Sequence, residues 1–388
     1  MLPRPELAPA AHPLERLPEE WSETLVKWGE PRFRGAQVFQ WIHGRGVLDP
    51  QKMTNLPKSI RARMSEELGE IPLRVVEGKR STDNTRKLLV RLHDERDIET
   101  VLIPQLKRDP DVALEDRRGD NDTGLVPSPV VTQCISSQIG CAMGCVFCAS
   151  GVAGLQRHLS AAEIVGQLLV GRSLLEGDEH LRNVVFMGMG EPLHNYDAVA
   201  RALVLMTHPE GLGLSTRRVT LSTSGLIPQI DRLAKDFEGK VSLAISLHAV
   251  TDESRSAIMP INRKYPLKDL VACLKRYPLP KRRRITLEYT LIRGVNDNPE
   301  DASVLAKLMK GVPVKVNVIP MNPIQESDLA APDWDGVEHF CGRLRDHGLT
   351  AMVRRERGSD VAAACGQLAL YGNDGKQAER KRRLPVKS

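Results

Sequence analysis

Residues 141–148 read Cys141-Ala142-Met143-Gly144-Cys145-Val146-Phe147-Cys148, three cysteines in a C-x3-C-x2-C spacing. No fourth Cys or His follows closely. A structural zinc site closes a tetrahedron of four protein ligands. Three thiolates in one tight loop suit instead a [4Fe–4S] cube whose remaining iron is open to a small molecule. An open iron beside a binding loop points to radical chemistry from S-adenosylmethionine. The plainer alternative is a zinc knuckle with a distant fourth ligand, Cys134. It is the weaker reading, because Cys134 falls inside an expected strand.

Outward from this loop the pattern is regular. Short apolar runs predict strands at 131–137, 183–187, 218–222, 241–247, 284–292 and 314–320. Stretches of 3.6-residue periodicity predict helices near 160–173, 196–207, 226–237, 266–276, 299–310 and 335–347. The first of these opens with Ser160-Ala161-Ala162-Glu163, a capping box. Strands that alternate with helices imply an α/β fold with a parallel sheet. Right-handed crossovers curl such a sheet towards a barrel. Six units are two short of a closed eightfold barrel, so the expected fold is an open partial (β/α)6 barrel with its site at the C-terminal strand ends. Several of those ends carry polar or glycine-rich sequence: the cysteine loop, Gly188-Met189-Gly190-Glu191-Pro192, Ser222-Thr223-Ser224-Gly225, Ser246-Leu247-His248 and Pro320-Met321-Asn322.

Ahead of the barrel, residues 1–19 carry five prolines and read as a disordered lead-in. Residues 20–75 form an expected helical accessory domain, with Ile60, Met64 and Leu68 on one face. Residues 76–106 hold a β-hairpin extension whose alternating strands are 87–92 and 98–103. Charged, Asp/Gly/Pro-rich residues 107–130 read as a flexible insertion. The catalytic domain spans 131–370, and 371–388 is a basic tail.

The 388 residues are 41% hydrophobic and 27% charged, as expected for a globular chain. No window is apolar enough for a membrane span and no leader stands at the N-terminus, so a soluble cytoplasmic protein is expected. A net charge of +6 is modest, but it is concentrated in Lys281-Arg282-Arg283-Arg284 and in the tail. Such runs are usually solvated faces. Together they make a nucleic acid a reasonable partner.

Taken singly, the other motifs are weak. Gly188–Pro192 is an ordinary strand-to-helix turn by itself; one strand after the cysteine loop, its Glu191 could hold the ammonium end of an amino-acid-like cofactor. Ser222 and Ser246 to His248 are usual strand-end caps, or ribose and carboxylate ligands of that cofactor. Cys273 and Cys341 lie in amphipathic helices and read as small buried hydrophobes. Cys365, among the small residues of Ala362-Ala363-Ala364-Cys365-Gly366, reads as a possible reactive thiol.

Six stretches together are more specific: Phe33-Arg34-Gly35-Ala36-Gln37, Met53-Thr54-Asn55-Leu56, Ile98-Glu99-Thr100-Val101, Cys134-Ile135-Ser136-Ser137-Gln138-Ile139-Gly140-Cys141, Phe186-Met187-Gly188-Met189-Gly190-Glu191-Pro192-Leu193, and Glu356-Arg357-Gly358-Ser359-Asp360 through Ala364-Cys365-Gly366-Gln367-Leu368. With them the chain resembles the RlmN/Cfr group of radical S-adenosylmethionine RNA methyltransferases. The resemblance implies a radical SAM barrel and methylation of adenine C2 in 23S rRNA and in tRNA. It implies Cys141, Cys145 and Cys148 as ligands of a [4Fe–4S] cluster. Gly190, Glu191, Ser222, Ser246, Leu247, His248 and Asn322 would contact S-adenosylmethionine, used twice per turnover. Cys365 would carry the methyl group, Cys134 would resolve it through a transient disulfide, and Glu99 would accept a proton. The helical domain would touch RNA. An electron donor such as flavodoxin or ferredoxin and a monomeric state are also implied. Residues 107–130 are longer than the family's connection and lie near the expected RNA entry. Two alternatives stay open: a Cfr-like C8 methyltransferase, and a zinc-holding RNA-binding protein without catalysis.

Overall fold

The structure, a computed structural model, describes residues 5–68, 73–108, 125–325, 327–354 and 356–368. Three helices open the chain. Helix α1 (Pro18–Lys27) starts with Pro at its first turn, where no N–H is missed, and Glu20 accepts the Leu17 N–H at 2.7 Å. Helix α2 (Arg34–Phe39) runs on into a wider turn, Gln40–Gly44. Helix α3 (Lys58–Leu68) buries Ile60, Met64 and Leu68, the face expected of it.

A ten-stranded sheet follows. Its first four strands are antiparallel: β1 (Leu73–Arg80), β2 (Arg86–Leu92), β3 (Asp97–Arg108) and β4 (Leu125–Cys134). A two-residue ladder, β5 (Gln138–Ile139) with β6 (Arg157–His158), stands apart and brackets the cysteine loop. Strands β7 (His180–Phe186), β8 (Val219–Thr223), β9 (Ser242–Ser246), β10 (Ile285–Leu291), β11 (Val314–Pro320) and β12 (Thr350–Val353) then continue from β4 in parallel. The order is β1-β2-β3-β4-β7-β8-β9-β10-β11-β12, open at both edges. Every residue of β10 is buried, as a central strand covered on both faces requires. The helices are α4 (Ala149–Ala153), α5 (Ala161–Ser173), α6 (Tyr196–Thr207), α7 (Ile227–Phe237), α8 (Asp252–Ile258), α9 (Leu267–Arg276), α10 (Pro299–Leu308) and α11 (Trp334–Asp346). Helix α5 has the capping box read from its sequence, with Ser160 Oγ accepting the Glu163 N–H at 3.1 Å.

Four details differ from the sequence reading. Of the expected loose lead-in, residues 13–19 pack against the fold, and 1–4 lie outside the described residues. Leu14 and Leu17 are buried, and the Glu15 carboxylate accepts the Ala162 N–H at 3.0 Å, in the first turn of α5. That partner is 147 residues away and invisible locally. Strand β1 was not expected, because only Leu73 of its eight residues is buried and the alternation that marks a strand is missing. Strand β12 adds a seventh parallel strand beyond the six expected; four residues are too few for a periodic signal. The stretch 107–130 is in part sheet, since β3 and β4 extend into it and pair Leu106 with Pro127 and Arg108 with Leu125. Its centre, 109–124, and the tail 371–388 lie outside the described residues. Among the described residues, no helix is long and apolar enough to cross a membrane.

His43 sits in the accessory domain 4.5 Å from the Phe39 ring and is fully buried. Burial lowers its pKa to about 3. The unfolded chain binds this proton near pH 6.5, the native chain only near 3, so stability falls as pH drops through 6.5. Replacing His43 with Leu should flatten that acid slope by about 1 kcal/mol per pH unit below pH 6. Chemical denaturation of both proteins at pH 7.5, 6 and 5 measures it; parallel curves would refute it.

Candidate active site

An open cavity of about 880 Å³ lies at the C-terminal ends of the parallel strands. The cysteine loop forms one side of it. Gln156 N–H donates to Ile139 O at 2.9 Å at the base of the loop, and Val146 N–H to Ile258 O at 3.1 Å at its far side. Cys141, Cys145 and Cys148 all line the cavity as free thiols. Burial pushes the Cys141 and Cys145 thiols well up, so in this pocket they ionise only with a cation present. No three or more His, Cys, Asp or Glu among the described residues converge as on one metal ion. Three separate thiols around a roomy pocket fit the three corners of a cube, each with its own iron.

Opposite the loop stand the polar strand ends. The Glu191 carboxylate is buried and accepts from Leu193 N–H at 3.0 Å and Ser224 N–H at 2.7 Å. Burial raises its pKa, while the two backbone donors and the Thr223 and Ser224 hydroxyls oppose the rise. Glu191's own N–H donates to Gln138 Oε1 at 2.7 Å, which ties the glycine-rich turn to the loop's first residues. His248 adopts φ +57° and lies edge-on to the Phe147 ring at 4.7 Å. Its Nδ1 accepts the Thr290 N–H at 2.8 Å, so the neutral ring carries its proton on Nε2. Burial, helped by Arg255, lowers the His248 pKa to about 3 and keeps it neutral.

The thiol-bearing segment closes the cavity. Asn322 Nδ2 donates to Cys365 O at 2.9 Å, and Ala149 N–H to Gly366 O at 2.8 Å. Further back, Asp83 in the β1–β2 turn accepts from Arg357 Nε at 2.6 Å and from Gly358 N–H at 3.1 Å. The hairpin extension thus holds the segment on which Cys365 rides.

Of the residues singled out by sequence, Cys141, Cys145, Cys148, Gly190, Glu191, Ser222, Ser246, His248, Asn322 and Cys365 line this one cavity. Three do not. Leu247 is fully buried; its carbonyl accepts from Arg255 Nε at 3.0 Å, so its side chain belongs to the core. Cys134 ends β4 just behind the wall. Burial pushes its thiol up to about 12, the neighbouring Cys365 pushes the same way, and Arg354 pulls it down. Glu99 is buried on β3 and ion-paired with Lys87 Nζ at 2.9 Å, and Lys87 also donates to Ala362 O at 3.1 Å.

Residues with no sequence motif complete the site. Glu288, Thr290 and Arg354 line the cavity. Arg255 is fully buried on α8 and donates to the carbonyls of Leu247, Ser224 and Ser246 and to Asn262 Oδ1, at 2.7 to 3.0 Å. It ties the ends of β8 and β9 together. No local pattern marks it, since its acceptors come from three separate stretches. Arg255→Met should cost about 3 kcal/mol of unfolding free energy, because four buried acceptors lose their donor. A denaturation midpoint within about 0.5 kcal/mol of the parent would refute this.

Residues 135–305 match the family model of the Radical SAM superfamily, and residues 18–69 that of the ribosomal RNA large subunit methyltransferase N-terminal domain. A dual-specificity RNA methyltransferase RlmN from Sorangium cellulosum is 59% identical over 376 residues, covering 93% of this chain and 96% of its own. Another from Marinobacter nauticus is 44% identical over 371 residues, covering 94% and 92%. The crystal structure of a radical SAM methyltransferase from Sphaerobacter thermophilus superposes with a TM-score of 0.82 at 40% identity, covering 92% of this chain and 99% of its own.

Proposed function

The chain belongs to the RlmN family of radical SAM dual-specificity RNA methyltransferases, and on that premise we propose that it methylates C2 of an adenine in 23S rRNA and in tRNA by way of a methylated Cys365. The observation that carries this reading is that Cys365 and the three loop thiols line one cavity, with Cys134 directly behind.

Cys141, Cys145 and Cys148 would hold the [4Fe–4S] cluster, and Glu191, Ser222, Ser246, His248 and Asn322 with the backbone at Gly190 would hold S-adenosylmethionine. Together these groups supply, when bound, a carbon radical able to take a hydrogen atom from a methyl group. C2 of adenine is an electron-poor amidine carbon and does not attack a sulfonium as an amine would. The protein's answer is a thiol. Cys365 takes a methyl group from a first S-adenosylmethionine by displacement, as a thiolate nucleophile. Its activated carbon adds to C2 when a second molecule has been consumed. Glu99, linked through Lys87 to the Ala362 carbonyl, is the proposed acceptor of the C2 proton. Cys134 then attacks the Cys365 sulfur as a thiolate, the C–S bond breaks, and the freed methylene carbon takes up a proton to become the methyl group. A Cys134–Cys365 disulfide remains, and the one unpaired electron left by the radical addition is the electron that the cluster held by the three loop thiols would take back. Two electrons from a donor such as flavodoxin or ferredoxin reset the pair.

The target adenine must enter unstacked from folded RNA. Residues 20–75 are the proposed RNA-contacting domain. The basic knot and tail would add salt-dependent affinity. The lengthened 107–130 connection is the proposed site of any change in RNA choice.

The test is anaerobic turnover of reconstituted protein with reductant, labelled cofactor and unmodified 23S fragment or tRNA, followed by mass analysis of nucleosides. 2-Methyladenosine is the expected product. 8-Methyladenosine would move the chain to Cfr-like chemistry. 5′-Deoxyadenosine without RNA methylation would overturn the substrate, and a zinc protein free of iron and sulfide would overturn the whole reading.

A further inference from the structure

Two groups on the cavity wall have no part in the scheme above. Glu288 stands midway along β10 and is 4% exposed. Its Oε1 accepts from Asn317 Nδ2 at 3.0 Å. Its Oε2 has no hydrogen-bond partner among the described residues. The nearest cation, Arg354 Nη1, is 3.9 Å away, beyond hydrogen-bond reach. A buried carboxylate oxygen without a donor costs the chain stability. It persists where a ligand is to supply the donor. Arg354 follows β12, pinned by its N–H to Val318 O at 2.8 Å, with Nη1 against Met187 Sδ at 3.4 Å. Negative charge at Cys365, ahead of that at Glu288 and Cys134, favours the Arg354 cation. Glu288, Arg354 and Cys365 all line the same cavity.

We propose that Glu288 and Arg354 form a base-reading subsite: Glu288 Oε2 accepts from the exocyclic amino group of the target adenine and Arg354 donates to N1. The assignment rests on the functional reading given above. Along that edge of adenine the amino group, N1 and C2 follow one another. Along the wall, Glu288 neighbours Arg354, and Arg354 neighbours Cys365. A base bound through its amino group and N1 therefore turns C2 to the thiol. Donation to N1 also draws electron density from C2, the carbon that a radical must attack. Guanine has the opposite polarity on this edge, a carbonyl facing Glu288 and an N–H facing Arg354, and both groups would be left unpaired. S-Adenosylmethionine carries an adenine of its own, and the test must separate the two.

Glu288→Gln is the direct probe. Asn317 donates to Oε1 and so fixes the amide oxygen there, which turns the amide NH₂ to the cavity where an acceptor is needed. RNA carrying adenosine or purine riboside, which lacks the amino group, is offered to both proteins. Wild type should prefer adenosine by about 10- to 100-fold in kcat/KM. In Glu288→Gln the preference should collapse to within about threefold. Iron content, binding of labelled S-adenosylmethionine and methylation of Cys365 without RNA should stay near wild type, because none of them needs the target base. A preference left intact in the variant overturns the proposal. So does a loss of cofactor binding with the preference retained, which would give the pair to the cofactor's adenine. If Glu288→Gln fails to hold its cluster, Arg354→Met carries the test as an affinity, since N1 also sets the reactivity of C2: wild type should bind adenosine RNA more tightly than 1-deazaadenosine RNA, the difference should vanish in the variant, and its persistence overturns the proposal. Wild type that leaves adenosine RNA unmethylated is a failure of the functional reading, seen before any variant is compared, and the subsite falls with it.

Discussion

Protein carrying Cys365→Ala should retain its full iron and sulfide and lose RNA methylation by about 10⁴-fold or more. The asymmetry follows from how the segment is held. Its anchors are two main-chain carbonyls and one side-chain amide: Cys365 O accepts from Asn322, Gly366 O from Ala149, and Gln367 Nε2 donates to Pro323 O at 3.0 Å. None uses the sulfur. The cysteine loop, which takes one of those bonds, should keep its shape. Alanine also suits the neighbourhood, which is already Ala363, Ala364 and Gly366. What disappears is the nucleophile, and no other described cysteine lining the cavity is spare, since the remaining three are the proposed cluster ligands. Iron and sulfide analysis with nucleoside mass spectrometry reads both halves. Methylation above a hundredth of wild type would show that the thiol does not carry the methyl group.

The barrel was legible because its signals are local and repeated. Each apolar run followed by a 3.6-period helix announces one unit, and Ser160-Ala161-Ala162-Glu163 marks a helix start within four residues. The cysteine spacing and the glycine-rich turn were legible for the same reason. What escaped depends on partners far along the chain. Glu15 caps a helix 147 residues away. Arg255 gathers acceptors from three segments and sits on a short helix without a motif. Glu288 is the one charged residue of a fully buried strand; a buried carboxylate there is costly, and that charge is the only trace it leaves in the sequence. Leu247 lies just past the end of β9, and the left-handed backbone at His248 leaves both of its neighbours on the cavity while its own side chain is buried, a local turn that no sequence pattern announces.

Gly190→Ala should weaken S-adenosylmethionine binding by on the order of 100-fold, about 2.7 kcal/mol, while leaving the iron content unchanged. Gly190 has φ +103°, a conformation that costs an L-residue about 1–3 kcal/mol. A Cβ there would meet Gln138 Cβ at 2.6 Å and Gln138 N at 2.9 Å. The obstacle is partly backbone, held by Gln138 N–H to Met189 O at 3.2 Å, so it cannot swing aside. The turn must move instead. Movement breaks the Glu191 N–H to Gln138 Oε1 bond and tilts the Glu191 carboxylate away from the Ser224 and Leu193 donors that aim it. Beyond its link to the turn at Gln138, the cysteine loop is held to Ile258, Gly366 and β6, and those ties should keep its thiols in place. Equilibrium dialysis of labelled cofactor against iron-replete protein measures the effect. Affinity within threefold of the parent would mean that the turn absorbs the methyl group and that Glu191 does not set cofactor affinity. Loss of iron in the same protein would mean instead that turn and cysteine loop move as one body. The Gln138 side chain, which touches both Glu191 and His158 at the loop's far strand, would then be the link between them.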